Sequence, residues 1–221
     1  ISNEILNPIY NPHLIYDNGA SMKNKGFNFS INRIKYKLKK HYNKYRLNGY
    51  IIIIDYSKFF QNCSHEIIHN IHKKYIYNDS IIKLIEDYLF IGEGIALGVE
   101  IAQKEASIIP NILDHFVQNK YKINRYMDDT FIIVNTKEEA INLLNDYYKL
   151  CNKLHIKINK NKTKILPIKN NFLYCKWKYN INNKGKILLI PHKSTIYRQR
   201  KKLRKMYKLN ISKKEIKITK Q

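Results

Sequence analysis

A short segment near the middle of the chain, Tyr126-Met127-Asp128-Asp129, constrains the fold most strongly. It follows a mixed, strand-like run and leads directly into the apolar run at residues 131–134, so it predicts the tip of a β-hairpin. Aspartate suits such a tip because its side chain can bond its own backbone. Two adjacent carboxylates repel each other unless a cation lies beside them, and Mg²⁺ prefers hard oxygen ligands. The tip is therefore a candidate metal site, with an ordinary solvated turn as the alternative.

A further acid follows a second strand-like run upstream. Residues 49–54 form an isoleucine-rich run of strand length, which ends in Asp55. Asp55 and Asp128 are 73 positions apart, which lets their strands lie side by side after intervening helices. Together, Asp55, Asp128 and Asp129 are predicted to hold two Mg²⁺ ions. One ion would activate an attacking oxygen and the other would steady a leaving pyrophosphate.

The order of these segments resembles that of reverse transcriptase motifs. An aspartate strand is followed by the aromatic Phe60, then by a glycine-containing helix start at Gly98, and then by the YMDD hairpin. The resemblance is to bacterial and phage-type enzymes, related to those of group II introns, retrons and diversity-generating retroelements. It extends through most of residues 19–205. It implies an α+β fold, a right-hand polymerase palm with an antiparallel sheet and packed helices, with partial fingers and the start of a thumb.

The resemblance implies an RNA-directed DNA polymerase that extends a primer with dNTPs. Asp55, Asp128 and Asp129 would be catalytic and metal-binding, and Tyr126 and Met127 would contact the nucleotide. The implied partners are an RNA template, a DNA or RNA primer, and the RNA–DNA duplex. Two alternatives stay open: template-independent or protein-primed DNA synthesis, as in relatives that act in antiviral defence, and a degenerate palm that only binds RNA.

The resemblance assigns further nucleotide-binding residues. Phe60 would close against the sugar 2′ position and favour deoxynucleotides, although it is also a plausible core aromatic. Gly98 would let the backbone approach the nucleotide or template, since a Cβ would block that approach. Gln103 would contact the template side of the nascent pair. The family usually has serine where this chain has Ala102, which puts one template or backbone contact in doubt.

Three lysines receive phosphate-binding roles from the resemblance. Residues 19–26 resemble the fingers loop that holds the incoming triphosphate, where Lys23 or Lys25 would replace the family's arginine as a point charge. Lys162 would protonate or neutralise the pyrophosphate leaving group. The alternatives are an ordinary charged surface turn for the loop, and an ordinary lysine at Lys162 in a lysine-rich chain.

Two downstream segments resemble parts that hold the primer and the duplex. Residues 171–177 resemble the hairpin that grips the primer end, with Phe172 and Leu173 as the matching core. Trp177 stacks or packs there, and packing is favoured. The basic run from 193 to 208 is spaced for a helix and resembles the opening of a thumb laid along a duplex backbone. Its candidate contacts are Arg198, Arg200 and Arg204.

Composition favours nucleic acid as the partner. The net charge is +24, with 41 Lys and Arg against 17 Asp and Glu, and the pI is near 9.8. A low-GC genome would inflate lysine, but it would inflate glutamate too, so the asymmetry points to polyphosphate. We expect binding to weaken strongly with salt.

Cysteine, histidine and hydropathy patterns argue against other classes of protein, such as zinc-binding and membrane proteins. The three cysteines have no metal-binding spacing, which indicates a reducing cytoplasm and argues against zinc: Cys63, Cys151 and Cys175. Three histidines share one helical face and are predicted to be surface or palm packing: His65, His69 and His72. No apolar stretch reaches the length of a membrane span. The sequence carries no signal for an oligomeric state.

The coarse architecture follows from periodicity. Helices are predicted over about 28–46, 64–75, 80–89, 98–118 and 137–154, with a kink or break at Pro110, and short strands continue to about residue 190. Five positions of the fourth helix are predicted core: Ala106, Ile109, Ile112, Leu113 and Phe116.

Three regions are predicted. They are partial fingers at 1–48, a palm at 49–190 with a fingers insertion near 60–95, and the start of a thumb at 191–221. We expect the chain to be part of a longer protein, because it begins without methionine and ends where a thumb would continue.

Overall fold

The computed structural model describes residues 1–208. The last part of the predicted thumb, residues 209–221, lies outside the described residues. The described α-helices are α1 (Asn7–Tyr10), α2 (Phe27–Tyr45), α3 (His65–Tyr75), α4 (Asp79–Leu89), α5 (Glu100–Ile108), α6 (Asn111–Gln118), α7 (Lys137–Lys153) and α8 (Lys193–Lys208). The strands are β1 (Tyr50–Asp55), β2 (Phe90–Ile91), β3 (Gly94–Ile95), β4 (Lys122–Tyr126), β5 (Asp129–Val134), β6 (Lys164–Pro167), β7 (Phe172–Tyr174), β8 (Trp177–Ile181) and β9 (Ile187–Pro191).

The predicted helix break at Pro110 is confirmed. Helix α5 ends at Ile108 and α6 begins at Asn111, since proline lacks the N–H that would continue the ladder. The break shifts the helical phase, so the core prediction for Ile112 and Phe116 is wrong: their side chains are 58% and 37% exposed. The other three predicted core residues of this region are buried: Ala106, Ile109 and Leu113.

The start of this helix also differs from the prediction. Helix α5 begins at Glu100 and not at Gly98, because Gly98 has a φ of 90°, which is incompatible with a helix. Upstream, helices α3 and α4 begin close to their predicted starts. Ser64 and Asn78 cap them by accepting hydrogen bonds from backbone N–H groups of the first turn.

The central sheet has the order β4-β5-β1-β6, and all its pairs are antiparallel. Side chains of β1 alternate between two cores, as the period of a strand requires. Ile52 and Ile54 pack under the helical layer of α5, α6 and α7, whereas Ile51 and Ile53 pack on the other side against α2 and the second sheet. Both faces are therefore covered, and the α+β palm prediction is confirmed.

The second sheet, β7-β8-β9, lies against α2. Phe172 and Tyr179 stack with parallel rings 4.9 Å apart, and Tyr42 of α2 donates a hydrogen bond to the carbonyl of Asn183 at 2.6 Å. Helix α8 follows β9, and its arginines at 198, 200 and 204 are exposed. Within residues 1–208, no helix is long and apolar enough to cross a membrane.

Candidate active site

The predicted hairpin forms and places two acids opposite each other. Strands β4 and β5 pair with Tyr126 opposite Asp129, and β1 pairs with β5 so that Asp55 is also opposite Asp129. Alternation along the strands puts both carboxylates on the face of the sheet that Ile53 and Phe131 occupy. The adjacent strands thus bring acids from distant parts of the sequence to one edge of the palm.

The turn of the hairpin holds the third acid. Met127 has a φ of 54°, in the left-handed region that a side chain rarely adopts, and Asp128 follows it. Such a residue costs about 1–3 kcal/mol and persists only where its surroundings hold it. The N–H of Tyr56, directly after β1, donates to the carbonyl of Asp128 at 3.3 Å. This bond fixes the turn against the end of the strand that carries Asp55.

The carboxylates are close enough to perturb one another. Burial raises the pKa of Asp129 to about 7, and the charges of Asp128 and Asp55 add to that rise. Burial, followed by the charge of Asp55, likewise raises the pKa of Asp128. Both groups are therefore penalised as anions, which is the electrostatic condition that a cation would relieve.

Lys162 is the cation that contacts this edge. Its Nζ donates to Asp55 Oδ2 at 2.9 Å, and that hydrogen bond raises the lysine pKa, although its side chain is 65% exposed. The loop before β6 is held on the same residue, because the N–H of Asn159 donates to the carbonyl of Asp55 at 2.8 Å. The structure therefore brings Lys162 to Asp55, and its role towards the pyrophosphate stays a prediction.

The donor set fits a hard cation. Asp55 Oδ1 is buried and has no hydrogen-bond partner, and carboxylate oxygens are the ligands that Mg²⁺ prefers. Among residues 1–208, however, no group of three or more His, Cys, Asp or Glu side chains already has a metal-binding arrangement.

Arg125 is a site residue that sequence reasoning missed. It is fully buried beside the YMDD turn, and its guanidinium donates to Asp114 Oδ2 at 2.6 Å and to the carbonyl of Ser107 at 2.6 Å. It also donates to the carbonyl of Met127 at 3.2 Å. The arginine therefore connects the strained turn to α5 and α6. The available signal in the sequence was an arginine directly before the tetrad, in a short strand-like run.

Tyr174 is a second missed residue. Its buried hydroxyl lies 3.0 Å from the carbonyl of Asp129 and 3.2 Å from that of Asn124, so its single proton can bond either one. Tyr174 belongs to β7, so the second sheet supports the backbone of the YMDD hairpin. Its place in the segment 171–177 was visible in the sequence, but the bond to Asp129 was not.

A cleft of about 610 Å³ joins the acids to the predicted primer hairpin. Asp55, Asp129 and Lys162 line it together with Phe172 and Leu173. Phe172 is buried and Leu173 is half-exposed, so Leu173 is the member of the pair available to a ligand. Trp177, by contrast, is packed against the core beneath the sheet. This outcome agrees with packing, which the sequence favoured.

The loop at residues 19–26 lies next to the hairpin. Gly19 donates to the carbonyl of Arg125 at 2.9 Å, and a Cβ at this position would collide with the hydroxyl of Ser30. Lys25 turns away from the acids, since its Nζ bonds the carbonyl of Tyr16 at 2.6 Å. Lys23 is exposed. Of the two predicted triphosphate ligands, Lys23 is therefore the more accessible one.

The other predicted nucleotide residues have mixed surroundings. Phe60 is half-buried and packs edge-on against the buried Phe59, with 6.0 Å between ring centroids. Gln103 is exposed, and its carbonyl accepts a hydrogen bond from Ser21 of the fingers loop at 3.2 Å. Ala102 is fully buried, so a serine there would face the core. The structure thus brings Gln103 beside the fingers loop, and Ala102 does not remove an exposed contact.

The three clustered histidines belong to the packing of the helical layer. His72 is fully buried and lies 2.8 Å from Glu86 and 3.2 Å from Glu105. Burial alone would lower its pKa, but the two glutamates raise it on balance. His69 also contacts Glu86, and His65 stacks on a phenylalanine of β2. The predicted packing role is confirmed for His72 and His65.

The family model for reverse transcriptase (RNA-dependent DNA polymerase) matches residues 2–177 of this chain. The chain belongs to the reverse transcriptase family. The match covers the fingers loop, the strand with Asp55, the YMDD hairpin and β7. It does not distinguish the bacterial and phage-type branch that the motifs resemble. No curated protein matches this reverse transcriptase chain.

Solved polymerases share its fold. Apo telomerase from Candida tropicalis, truncated from its C-terminal domain, matches with a TM-score of 0.64 at 12% identity, covering 86% of this chain and 45% of that one. Telomerase from Candida albicans in complex with the TWJ fragment of telomeric RNA gives 0.59 at 9%, covering 72% and 33%. The RNA-dependent RNA polymerase of a human picobirnavirus gives 0.54 at 10%, covering 86% and 38%. The reverse transcriptase chain spans less than half of each of these proteins.

Proposed function

We propose that this protein is an RNA-directed DNA polymerase that extends a primer with dNTPs. The observation that carries the proposal is the direct pairing of Asp55 with Asp129, next to Asp128 in the hairpin turn, within a reverse transcriptase chain. Phosphoryl transfer requires mainly positioning and charge neutralisation. An edge with two carboxylates on adjacent strands and a third in the turn beside them is suited to both.

Asp55, Asp128 and Asp129 would hold two Mg²⁺ ions. When bound, the ions would favour ionisation of the primer 3′-hydroxyl and neutralise charge on the phosphates. The protein's own contribution is to hold the carboxylates: Arg125 supports the turn and Tyr174 supports the backbone of Asp129.

The position of Lys162 would allow its ammonium group to move from Asp55 to the leaving group during the reaction. In the structure it neutralises Asp55, but its ammonium is on an exposed, flexible side chain. We infer that it exchanges Asp55 for the leaving pyrophosphate, to which it can donate a proton or supply a positive charge. Tyr126 and Met127, at the base of the turn, would border the nucleotide on the other side.

We infer that residues around the opening of the site select the nucleotide. Phe60 would exclude a 2′-hydroxyl, because a flat apolar ring offers that group no hydrogen-bond partner. Lys23 would bind the triphosphate, with Lys25 holding the loop in place through Tyr16. Gly98 and Gln103, at the start of α5, would lie along the nascent pair.

The regions of the chain would divide the remaining work. We infer partial fingers at 1–48, a palm at 49–190 with a fingers insertion near 60–95, and the start of a thumb from 191. Phe172 and Leu173 would hold the primer end, because they line the same cleft as the acids. The exposed arginines of α8 would follow the duplex backbone: Arg198, Arg200 and Arg204.

Primer extension tests the proposal. The protein is incubated with an RNA template, an annealed DNA primer, dNTPs and Mg²⁺, and the product is sequenced. We expect template-complementary DNA from the wild type and none from Asp129→Asn. Asp146→Asn, which removes an exposed acid of α7, is the matched control and should retain activity.

Two other outcomes correspond to the alternative functions. DNA whose sequence ignores the template would indicate template-independent or protein-primed synthesis, as in defence-type relatives. Ala102 put one template or backbone contact in doubt, but it is fully buried, so a serine there would face the core and not the template. RNA binding without any product, in the presence of Mg²⁺, would indicate a degenerate palm.

A further inference from the structure

Two exposed tyrosines and an arginine form a stack on the surface beside α2. The side chains of Tyr16 and Tyr36 are 64% and 53% exposed. The guanidinium carbon of Arg33 lies 5.0 Å from the ring centroid of each. Exposed rings next to a cation are attractive partners for other flat, π-rich groups. This stack, together with the neighbouring exposed lysines of α2 at 35, 39, 40 and 44, is called the α2 platform below.

The arginine of the α2 platform is held in place. Arg33 donates to both carboxylate oxygens of Asp17, at 2.5 and 3.3 Å, and Lys37 donates to the same carboxylate at 2.6 Å. The carbonyl of Asp17 in turn accepts from the side chain of Asn124 in β4 at 2.9 Å. Because the guanidinium is fixed by the palm, a ligand that stacks on it loses less conformational entropy on binding.

The lysines of the α2 platform face solvent without acids of their own. From residue 5 to residue 54 the chain has nine Lys and Arg but a single acid, Asp17, which Arg33 and Lys37 already neutralise. Lys122 at the start of β4 adds to the same field. Burial lowers its pKa first, and the positive charges of Lys40 and Lys44 lower it further. Such a surface attracts an extended polyanion.

Aromatic rings and phosphate-binding charges on one surface define a class of ligand. Lysines alone would accept a duplex or an acidic protein, but exposed rings supported by a fixed guanidinium are suited to unpaired bases, whose faces are free to stack. We propose that the α2 platform binds single-stranded nucleic acid, with phosphates on the lysines and bases on Tyr16 and Tyr36.

The α2 platform continues towards the catalytic hairpin without being part of it. Lys25 of the fingers loop lies over the ring of Tyr16 at 4.8 Å, and Phe27 at the start of α2 packs edge-on against Tyr126 at 5.9 Å. A bound strand would therefore run along α2 to the entrance of the site. None of the platform residues contacts Asp55 or Asp129, so the inference does not depend on the proposed catalysis.

Fluorescence anisotropy tests the inference on the intact protein, without dNTPs or Mg²⁺. The probe is a labelled oligouridylate of about 16 nucleotides, the upper end of single-strand site sizes. We expect Tyr16→Ala combined with Tyr36→Ala to weaken binding by roughly tenfold or more, as the loss of a stacked base does. The Tyr→Phe pair keeps both rings and should bind as the wild type does. Tyr77→Ala with Tyr88→Ala, exposed tyrosines of the helical layer, is the matched control and should leave affinity unchanged.

The salt dependence tests the lysines separately. Replacing Lys39, Lys40 and Lys44 with alanine should reduce the slope of log affinity against log salt by about 0.7 for each phosphate that the variant no longer binds. The matched control replaces three exposed lysines elsewhere, at 83, 149 and 153, and should keep the slope. Unchanged affinity in the Tyr→Ala pair would overturn the inference.

Three probes of one sequence identify the ligand. Single-stranded RNA, single-stranded DNA and duplex RNA are compared on the wild type and the Tyr→Ala pair. Sensitivity of either single strand to the tyrosines supports the inference, and preference for one of them identifies the natural strand. Duplex RNA that binds more tightly than both single strands, with the same sensitivity, would overturn it. Because no catalysis is measured, these results are independent of the primer-extension outcome.

Discussion

Acidic groups along β4 and in the turn that follows it have opposite surroundings. Along β4, each acid has matched cations: Asp17 binds Arg33 and Lys37, and Asp114 binds Arg125. At the turn after β4, Asp128 and Asp129 lie beside Asp55, and the cations near these acids are exposed: Lys162 contacts Asp55, and the charge of Lys176 acts on Asp129.

The difference separates acids that stabilise the fold from acids that are suited to binding a ligand. Matched pairs lock α2, α6 and β4 together and leave their carboxylates without unsatisfied negative charge. The edge with Asp55, Asp128 and Asp129 keeps an excess of negative charge, and neighbours such as Arg125 hold its backbone. Carboxyl groups with raised pKa values tend to mark functional sites. The repulsion among them lowers the stability of the fold.

The largest expected effect on activity comes from removing charge at the edge that holds Asp55, Asp128 and Asp129. Asp129→Asn should lower primer extension by roughly 10³-fold or more, because a ligand of the catalytic ions is lost. The same change should raise the thermal midpoint measured without Mg²⁺ by about 2–4 °C, since it removes an anion that its neighbours repel. Thermal melts and single-turnover extension measure the two effects. A variant that loses stability along with activity would contradict the contrast between the matched acids along β4 and the acids at the turn.

The next largest effect should come from breaking the matched buried pair. Asp114→Ala leaves Arg125 buried without its carboxylate, and such a change costs about 3–5 kcal/mol. Urea unfolding measures it. The double variant Asp114→Leu with Arg125→Met should recover a large part of the stability but not the activity, because the bond to the carbonyl of Met127 is gone. Full activity in a stably folded double variant would show that the arginine does not position the turn.

A smaller effect is expected at Asp17. Burial alone would raise its pKa, but hydrogen bonds from Arg33 and Lys37 lower it on balance. A carboxyl with a lowered pKa stabilises the fold above its unfolded pKa of about 3.9, and this contribution is lost as the pH falls through the folded value. Asp17→Asn should therefore cost about 2 kcal/mol at pH 7.

Unfolding measured from pH 7 to pH 2 checks the sign of this contribution. The difference between the wild type and Asp17→Asn should shrink below pH 4. A difference that does not vary with pH would mean that the paired charge at Asp17 is not what stabilises the contact between this segment and β4.

The smallest effect concerns the cation itself. Mg²⁺ at ten times its dissociation constant should stabilise the wild type by about 1.4 kcal/mol, because it binds the folded state and relieves the repulsion. Asp55→Asn should lose most of this shift, whereas Asp17→Asn should keep it. Melts with and without Mg²⁺, at matched ionic strength, give the comparison. An equal shift in Asp55→Asn would place the ion elsewhere.

Local signals in the sequence predicted the frame of the site well. The isoleucine run, the turn-forming tetrad and Pro110 each act through neighbouring residues, so β1, the hairpin and the helix break follow from the sequence. The burial of Ile112 and Phe116 was predicted wrongly because the break shifts the helical phase. Arg125 was missed because its role depends on how α5 and α6 pack against β4, and Tyr174 because its partner Asp129 is 45 residues away.

The sheet order has a consequence for synthesis of the protein. Both partners of β1 lie downstream: β5 begins 74 residues after β1 ends, and β6 begins 109 residues after it. At typical translation rates a nascent chain exposes Ile51–Ile54, with both edges open, for roughly 4–15 s before β5 emerges. An apolar β-branched strand with free edges readily pairs with other chains. Truncated or stalled nascent chains, more than the finished protein, are therefore the forms that require a chaperone.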